Sequence, residues 1–465
     1  MTPVTKSTPF ARLSVQSLGH ADATVRLPAY DRTKLETGLL HFGPGAFHRA
    51  HQGFFIDQLA ARDPRWGLTA VALRGTSTTE ALTAQDGLYT IAELSGTPRF
   101  HVIGALREAI AARTFPQAVL ARLADPRLAA VTMTVTEHGY GLTPAGDLDT
   151  ARPEIAHDLA GPPVPQSLTG WLVEGLRRRQ RANLKPYTMI SCDNLAGNGA
   201  RLKRVVLQFA NERDRDLARW IEAEAHFPST MVDSITPASD EALKARVALH
   251  LGAVDMAPVQ REPFVQWVME PAPGPDWASV GVTVSHDVAG YEQAKLRILN
   301  GAHSTLAYLG LLRGLKTTRE AMADAELARF VRRLVAEDIA PSLTPPPGLD
   351  LAGYIDTVLA RIANPAITHH LGQIAWDGSQ KLPYRLFGAI EDAIRHGRPL
   401  ERLAVPIAAW MRFARQRGTD LIDPLHDQLA CCDGVDDFLK LDIPFPRDPA
   451  FIRALNEAYD HVPLA

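Results

Sequence analysis

Three side chains that can move a proton or bind a polar substrate lie in one short stretch, YEQAKLRILNGAH, at residues 291–303. The stretch has a helical pattern. At about 100° per residue, Lys295, Asn300 and His303 would lie within an arc of roughly 140° on an otherwise apolar helix. A lysine is seldom buried without a reason, so this combination is a candidate catalytic group. The alternative is a lysine at the surface and a hydrogen-bonded histidine in the core.

A glycine loop near the start of the chain could bind a phosphate. The segment GPGAFHR at 43–49 follows the apolar run LLHF and precedes a helical pattern. In a dinucleotide-binding fold such glycines let the backbone approach a pyrophosphate, and the helix N-terminus offers N–H groups to the anion. His48 replaces the third glycine of the usual motif, and an ordinary tight turn is the alternative. The residues expected to contact the cofactor here are Gly43, Gly45, Ala46 and Phe47.

The next apolar run ends in Leu73-Arg74-Gly75-Thr76-Ser77. Dinucleotide sites usually place an aspartate or glutamate at this point, where it holds the ribose hydroxyls. No acid appears before Glu80, and Arg74 beside hydroxyl residues could tolerate a 2′-phosphate. The sequence therefore predicts NAD as the cofactor and leaves NADP open.

Polar residues also follow two later apolar runs. Asp193 and Asn194 come after YTMISC, and Glu137 and His138 come after AAVTMTVT. The carboxyl ends of parallel strands border the crevice in which such folds bind ligands. Turn and capping chemistry explains Asp and Asn at these places equally well.

The elements that must position these groups form two patterns. Before about residue 285, short apolar runs alternate with helical stretches, and after about 290 helical segments dominate. We therefore predict a Rossmann-type, doubly wound, mostly parallel α/β sheet over residues 1–287 and an all-α C-terminal domain over 288–465. The predicted strands are the runs at 39–42, 68–73, 100–103, 129–136 and 187–192.

Composition excludes several classes of protein. The chain has 465 residues, 46% of them hydrophobic, and a formal net charge of −3, which argues against a nucleic-acid binder. No apolar run approaches the ~18 residues that span a bilayer, and the N-terminus lacks the apolar core of a secretion signal. Three cysteines without CxxC spacing, and no HExxH pattern, predict a cytoplasmic protein with no disulfide framework and no metal.

Seven motifs occur in one order: GPGAFHRAHQ, TVTEHGY, SCDNLAGNG, FPSTMVDSITP, EPFVQWV, KLRILNGAHS and DGSQKLP. Together they resemble the polyol-specific long-chain dehydrogenase/reductase family, from about residue 38 to about residue 450. The resemblance implies a metal-independent, NAD(P)-dependent oxidoreductase with its active site between the two domains. We expect a monomer or small homo-oligomer that acts on a small sugar acid or polyol. Family members often carry an acid where Thr76 and Ser77 stand here.

The resemblance also implies roles for individual residues. Lys295 matches the general acid/base, and Asn194 and Asn300 match the carboxamides around the reacting oxygen. A free lysine has a pKa near 10.4, too high for a base at neutral pH. Desolvation or the positive nicotinamide ring would lower that pKa.

Other positions would surround the substrate. By the resemblance, His303 matches a substrate-contacting histidine, Asp233 an acid near the substrate, and Glu137 a glutamate near the lysine. DGSQKLP and TEHGY look more like the mannonate branch, and Lys381 and Arg385 are candidate partners for a uronate carboxylate, with surface charge as the alternative. We expect interconversion of D-mannonate and D-fructuronate. The alternatives are a mannitol, arabinitol or sorbitol 2-dehydrogenase and, in a different class, a nucleotide-binding sensor that has lost catalysis.

Overall fold

The computed structural model describes residues 10–97, 99–367 and 369–462. It divides into two compact units, with the division between Val288 and Ala289. Within the described ranges, no helix is both long and apolar enough to cross a membrane.

The first unit contains three sheets and the helices that cover them. Its strands are β1 Val25–Arg26, β2 Leu39–Phe42, β3 Leu68–Ala72, β4 Tyr89–Glu93, β5 Arg99–Ile103, β6 Leu106–Ala111, β7 Ala130–Met133, β8 Thr188–Ser191, β9 Thr230–Asp233, β10 Val259–Arg261, β11 Gln266–Met269 and β12 Thr283–Val284. Its helices are α1 Ala46–Ala50, α2 Gln52–Arg62, α3 Ser77–Ala84, α4 Pro116–Leu123, α5 Pro153–Leu159, α6 Leu168–Arg181, α7 Asn198–Arg213, α8 Arg215–Glu224 and α9 Glu241–Leu251.

A five-stranded, wholly parallel sheet in the order β6-β3-β2-β7-β8 lies at the centre of this unit. Successive residues of β2 enter different cores: Leu40 and Phe42 pack with Trp171 of α6, whereas Leu39 packs with Phe55 of α2. Because strands alternate their faces, the sheet is covered on both sides, and β2, β7 and β8 are buried along their whole length. The predicted doubly wound fold is confirmed.

The run at 100–103 is a strand but not part of the parallel sheet. It lies in β5, which pairs antiparallel with β4 in a four-stranded sheet of order β1-β5-β4-β10. The place beside β3 is taken by β6, in which Arg107 and Glu108 interrupt the apolar pattern. The apolar content of a segment therefore identified a strand, but not the sheet it joins.

Helices make up the second unit. They are α10 Val288–Ala294, α11 Gly301–Leu312, α12 Thr318–Ala323, α13 Ala325–Arg333, α14 Leu351–Ile362, α15 Leu371–Ile374, α16 Gly378–Leu382, α17 Gly388–Arg395, α18 Glu401–Arg417, α19 His426–Ala430, α20 Val435–Phe438 and α21 Pro449–His461. Three π-helical segments join them: Lys295–Asn300, Leu334–Ile339 and Pro383–Phe387.

The central helix of this unit is α11. It is buried on nearly every side, and it packs against α15 and α18. A helix that is apolar all round belongs in the interior of a domain. The residues at and before its N-terminal end are therefore held by a rigid core.

Candidate cofactor and substrate sites

The glycine loop leaves the sheet at the carboxyl end of β2. Gly43 has a φ of +90°, and a side-chain Cβ there would collide with the backbone carbonyl oxygen of Thr134. The Thr134 Oγ1 donates a 2.8 Å hydrogen bond to the Gly43 carbonyl oxygen. Only glycine fits both the backbone conformation and the close approach at this position.

A cavity of about 570 Å³ opens beside this loop. That volume lies within the usual range for small-molecule sites, roughly 300–1,000 Å³. Gly43, Gly45 and Arg74 line it, and their contact with a cofactor stays a prediction. Ala46 and Phe47 begin α1 but are not among the lining residues, so their contact with a cofactor stays a prediction.

Two buried histidines, His41 and His48, pack next to the glycine loop. The ring of His48 stacks on His41, with centroids 3.3 Å apart and planes 14° apart. The Nδ1 of His41 lies 2.7 Å from the Thr132 Oγ1, and its Nε2 lies 3.1 Å from the Gly43 carbonyl oxygen. Burial lowers the pKa of His41 to about 3 and that of His48 well below its usual value. His48, in place of the third glycine, is thus a neutral core side chain under the loop.

The two polar loops after β7 and β8 are joined by Asp193. Its carboxylate accepts hydrogen bonds of 3.0 Å from the backbone N–H groups of Val135 and Thr136, and one of 2.6 Å from the Tyr140 hydroxyl. Burial raises the pKa of Asp193, and these hydrogen bonds oppose the rise. Asn194 follows directly and is exposed, whereas the side chain of Glu137 lies outside the described part of the structure.

Sequence reasoning missed Asn198, which fixes the same loop to the next sheet. Its Nδ2 donates to the carbonyl oxygens of Asp193 and Thr230, both at 3.0 Å, and its Oδ1 accepts from the Thr230 N–H at 2.9 Å. Thr230 begins β9, and Asp233 ends it. Asp233 is buried opposite Gln266 of β11. Asn198 is the second asparagine of DNLAGNG, so the sequence shows it. Its partner Thr230 is 32 residues away, and local spacing does not indicate that contact.

In the second unit, the lysine and carboxamide singled out from the sequence lie in a π-helical segment. Lys295 begins that segment and is buried, and Asn300 ends it, partly buried. A π turn closes from residue i to i+5, so residues five apart come nearer to one face than they do in an α-helix. The α-helical arc that we expected therefore overstates the angular separation of Lys295 and Asn300.

His303 is buried in the first turn of α11. Its Nε2 has no hydrogen-bond partner within the described ranges, and its ring meets that of His369 edge to face at 5.5 Å. Burial, reinforced by His369, Arg385 and Arg361, lowers the pKa of His303 well below its usual value. A neutral imidazole in this position can donate a hydrogen bond to a substrate hydroxyl or accept one from it.

The two candidate cations of the DGSQKLP region differ in their partners. The Lys381 Nζ donates a 2.6 Å hydrogen bond to the Trp376 carbonyl oxygen and lies 3.8 Å from the Asp377 carboxylate. The Nη1 of Arg385 donates a 2.8 Å hydrogen bond to the Ser304 Oγ, and the guanidinium has no described carboxylate as a partner. Burial lowers the pKa of both groups. Arg385 is thus a partly buried cation that forms no ion pair with any residue the structure describes.

Among the described residues, no group of three or more His, Cys, Asp or Glu side chains is arranged to hold a metal ion. The polar groups at the candidate sites include backbone, hydroxyl and imidazole groups together with lysine and arginine cations. Such groups suit hydroxyl, carboxylate and phosphate partners.

Comparison with known proteins matches two domains of one family to the chain. The mannitol dehydrogenase Rossmann domain matches residues 37–278, and the mannitol dehydrogenase C-terminal domain matches residues 287–440. D-mannonate oxidoreductase of Escherichia coli K12 is 37% identical over 464 residues, covering 94% of this chain and 96% of that protein.

Two solved structures are similar over nearly the whole chain. A substrate-free D-sorbitol dehydrogenase shares 32% identity with a TM-score of 0.91, covering 96% of this chain and 97% of the other. The ternary complex of Pseudomonas fluorescens mannitol 2-dehydrogenase with NAD and D-mannitol shares 34% identity with a TM-score of 0.82, covering 97% and 96%.

Proposed function

The chain belongs to the mannitol dehydrogenase family of oxidoreductases, and from that premise we propose that it interconverts D-mannonate and D-fructuronate with NAD and with Lys295 as the general acid/base. Residues 1–287 bind the dinucleotide in this proposal, and residues 288–465 carry the lysine. The single observation that carries the choice of a sugar acid is Arg385, a partly buried guanidinium with no described carboxylate partner, next to the helix turn that holds His303.

We assign to Lys295 the transfer of the proton between the protein and the reacting oxygen of the substrate. In the oxidative direction its neutral Nζ takes the hydroxyl proton of the substrate, and in reduction its ammonium returns that proton to the ketone oxygen. The bound nicotinamide supplies the hydride acceptor or donor. Burial of Lys295 supports this role, because desolvation disfavours the charged form of an amine. General acid–base catalysis of this kind typically contributes about 10²–10⁴-fold in rate.

The carboxamides of Asn300 and Asn194 are assigned to the reacting oxygen. Their N–H groups donate hydrogen bonds to the alkoxide character that develops as the proton leaves, so they bind the transition state more tightly than the alcohol. Asn300 ends the π turn that starts at Lys295, which supports a common task for the pair. His303 and Asp233 are assigned to the substrate hydroxyls, and Glu137 to the surroundings of the lysine.

The cofactor is assigned to the cavity at the carboxyl end of the parallel sheet. Gly43 and Gly45 let the pyrophosphate approach the backbone, and Ala46 and Phe47 begin the helix that faces it. The chemistry of the lining fits a dinucleotide, because backbone, hydroxyl and guanidinium groups surround a space of suitable size.

The substrate carboxylate is assigned to Arg385. A guanidinium can bind a carboxylate through two parallel hydrogen bonds, and burial makes an uncompensated cation costly unless an anion arrives. Lys381 already has two local partners, so we assign it a supporting role. A mannitol, arabinitol or sorbitol 2-dehydrogenase is the alternative within the family, and for such neutral substrates Arg385 would lack an anion.

The proposal is tested by a matrix of NAD and NADP against mannonate, mannitol, arabinitol and sorbitol, followed by absorbance of the reduced nicotinamide. We expect the highest kcat/KM for mannonate. A higher kcat/KM for any of the three neutral polyols would overturn the choice of substrate. Binding of NADH without turnover on any of the four would favour the sensor hypothesis.

A further inference from the structure

Two arginines leave the parallel sheet side by side at the edge of the cofactor cavity. Ala72, which ends β3, pairs in register with Ala111, which ends β6, and the Ala112 N–H donates to the Ala72 carbonyl oxygen at 2.9 Å. Arg74 and Arg113 each follow two residues after this pair, and both line the cavity. A doubly wound fold holds the adenosine ribose at the end of the second strand of its parallel sheet, which is β3 in this chain. The two guanidinium groups therefore stand at the ribose end of the site.

Both guanidinium groups are available to an incoming anion. Neither Arg74 nor Arg113 has a hydrogen bond or ion pair with any residue in the described ranges, and both are exposed. The one acid of β6, Glu108, is paired with Arg122 at 2.7 Å.

Acidic side chains are scarce in the cavity wall. Glu154 is the one acid among the lining residues that the structure describes, and it is paired with Arg152 at 3.1 Å. The positions after Arg74 are occupied by Gly75 and hydroxyl residues. An acid at this place would accept hydrogen bonds from both ribose hydroxyls. It would also repel a phosphate attached to either of the two ribose oxygens.

Hydroxyl groups extend the cationic site. Ser77 and Thr78 form the first turn of α3 and line the same cavity as Arg74 and Arg113. Serine and threonine hydroxyls donate hydrogen bonds to phosphate oxygens, and the start of a helix carries partial positive charge. These groups add directional donors to the two charges.

A second cavity, of about 510 Å³, adjoins the first and would hold the adenine base of a bound dinucleotide. Its apolar lining includes Ala112, Trp171 and Val164, which suits the faces of a purine. Leu73, Arg113 and Gln166 line both cavities, so Arg113 stands at their junction. An adenine in the second cavity and a pyrophosphate at the glycine loop would bring the adenosine ribose close to this junction.

We propose that Arg74 and Arg113 together bind the 2′-phosphate of NADP(H), and that the protein binds NADP(H) at least as tightly as NAD(H). The inference rests on the proposed function only in taking a dinucleotide to occupy this cavity. It does not depend on the substrate or on Lys295.

Isothermal titration calorimetry on the full chain tests the inference without turnover. The ligands are NADPH and NADH, together with adenosine 2′,5′-bisphosphate and 5′-AMP, which isolate the 2′-phosphate. Charge-assisted hydrogen bonds are the stronger class, so Arg74→Ala and Arg113→Ala should each weaken NADPH about tenfold to a hundredfold. NADH should change less than about threefold. Arg181→Ala, an exposed arginine at the end of α6, is the matched control and should change neither.

A variant that adds a negative charge sharpens the same test. A Cβ added at Gly75 meets no atom within 4 Å, so Gly75→Asp fits without displacing its neighbours. We expect it to weaken NADPH at least a hundredfold and to leave NADH equal or tighter.

The outcomes separate the inference from the proposed function. If NADH binds and NADPH binds less tightly than NADH, the inference is wrong and the dinucleotide site stands. The same conclusion follows if either alanine variant weakens both coenzymes equally. If neither coenzyme binds, the proposed function and this inference both fail.

Discussion

The Nη1 of Arg385 donates a 2.8 Å hydrogen bond to the Oγ of Ser304, the residue that follows His303. The two partners are 81 residues apart in the sequence. One lies in the π-helical segment Pro383–Phe387 and the other in α11. This bond holds a cation beside the buried imidazole, and it leaves the remaining guanidinium N–H groups for another acceptor.

The first prediction concerns the choice between a sugar acid and a neutral polyol. If Arg385 holds a carboxylate, Arg385→Met should lower kcat/KM for mannonate by about 10²-fold or more, since charged hydrogen bonds contribute about 1.5–3 kcal/mol each. The kcat/KM for mannitol should fall much less. Lys381→Met is the comparison and should cause a smaller loss, because its ammonium already has Trp376 and Asp377 as partners. Equal losses on mannonate and mannitol would contradict the role of Arg385.

The second prediction separates two glycines of the cofactor loop. Gly43→Ala should lower the free energy of unfolding by about 1–3 kcal/mol, because its positive φ and the Thr134 carbonyl both exclude a side chain. At Gly45 the added Cβ is 3.9 Å from the nearest atom. Gly45→Ala should therefore unfold at the same denaturant concentration and show its effect in weaker NADH binding. Similar stability losses in both variants would refute this distinction.

The third prediction concerns acid sensitivity. The pKa of His41 is about 3 in the folded protein and about 6.5 when unfolded. Between these values the unfolded chain binds a proton that the folded chain does not. Stability therefore falls as pH falls, by up to about 1.4 kcal/mol per pH unit for this residue. Urea denaturation of His41→Gln between about pH 7 and about pH 5 should show a shallower pH slope.

The exposed His20 supplies the control for that measurement. His20→Gln should keep the slope of the unmodified protein. An unchanged slope in His41→Gln would show that His41 takes up a proton without unfolding the protein. A constant offset in stability at every pH would have no bearing on the prediction, because the slope alone reports the proton.

The fourth prediction concerns the carboxamides. Asn300→Ala should lower kcat by about 10²–10³-fold with little change in KM, the pattern of a donor that acts on the transition state. Asn194→Ala should behave alike. A raised KM with an unchanged kcat would instead assign these residues to ground-state binding.

The sequence predicted those structural features near the candidate sites that depend on local geometry. Gly43 follows a strand and precedes a helix, so the turn and its demand for glycine were visible in the order of residues. The π turn from Lys295 to Asn300 was not, because apolar periodicity does not distinguish it from an α-helix over six residues. Arg113 lines the same cavity as Arg74 but was not singled out, because it follows β6, whose charged residues interrupt the apolar pattern, and Arg74 is distant in the sequence.

The same limit applies to partners across the fold. The stacking of His41 on His48, and the bond from Arg385 to Ser304, depend on tertiary packing rather than on spacing. Sequence patterns could identify candidate side chains, but the packing decides which of them are buried and which keep a free hydrogen-bonding atom.

The most direct test of the account is Lys295→Ala measured with NADH and fructuronate, beside Lys185→Ala as an exposed control. We expect kcat to fall by about 10³-fold at neutral pH while the affinity for NADH, determined by calorimetry, stays unchanged. Added primary alkylamines should restore part of the rate, because they replace the missing proton donor. Retention of kcat within tenfold in Lys295→Ala, with fructuronate still reduced, would contradict the assignment of Lys295 as the acid/base.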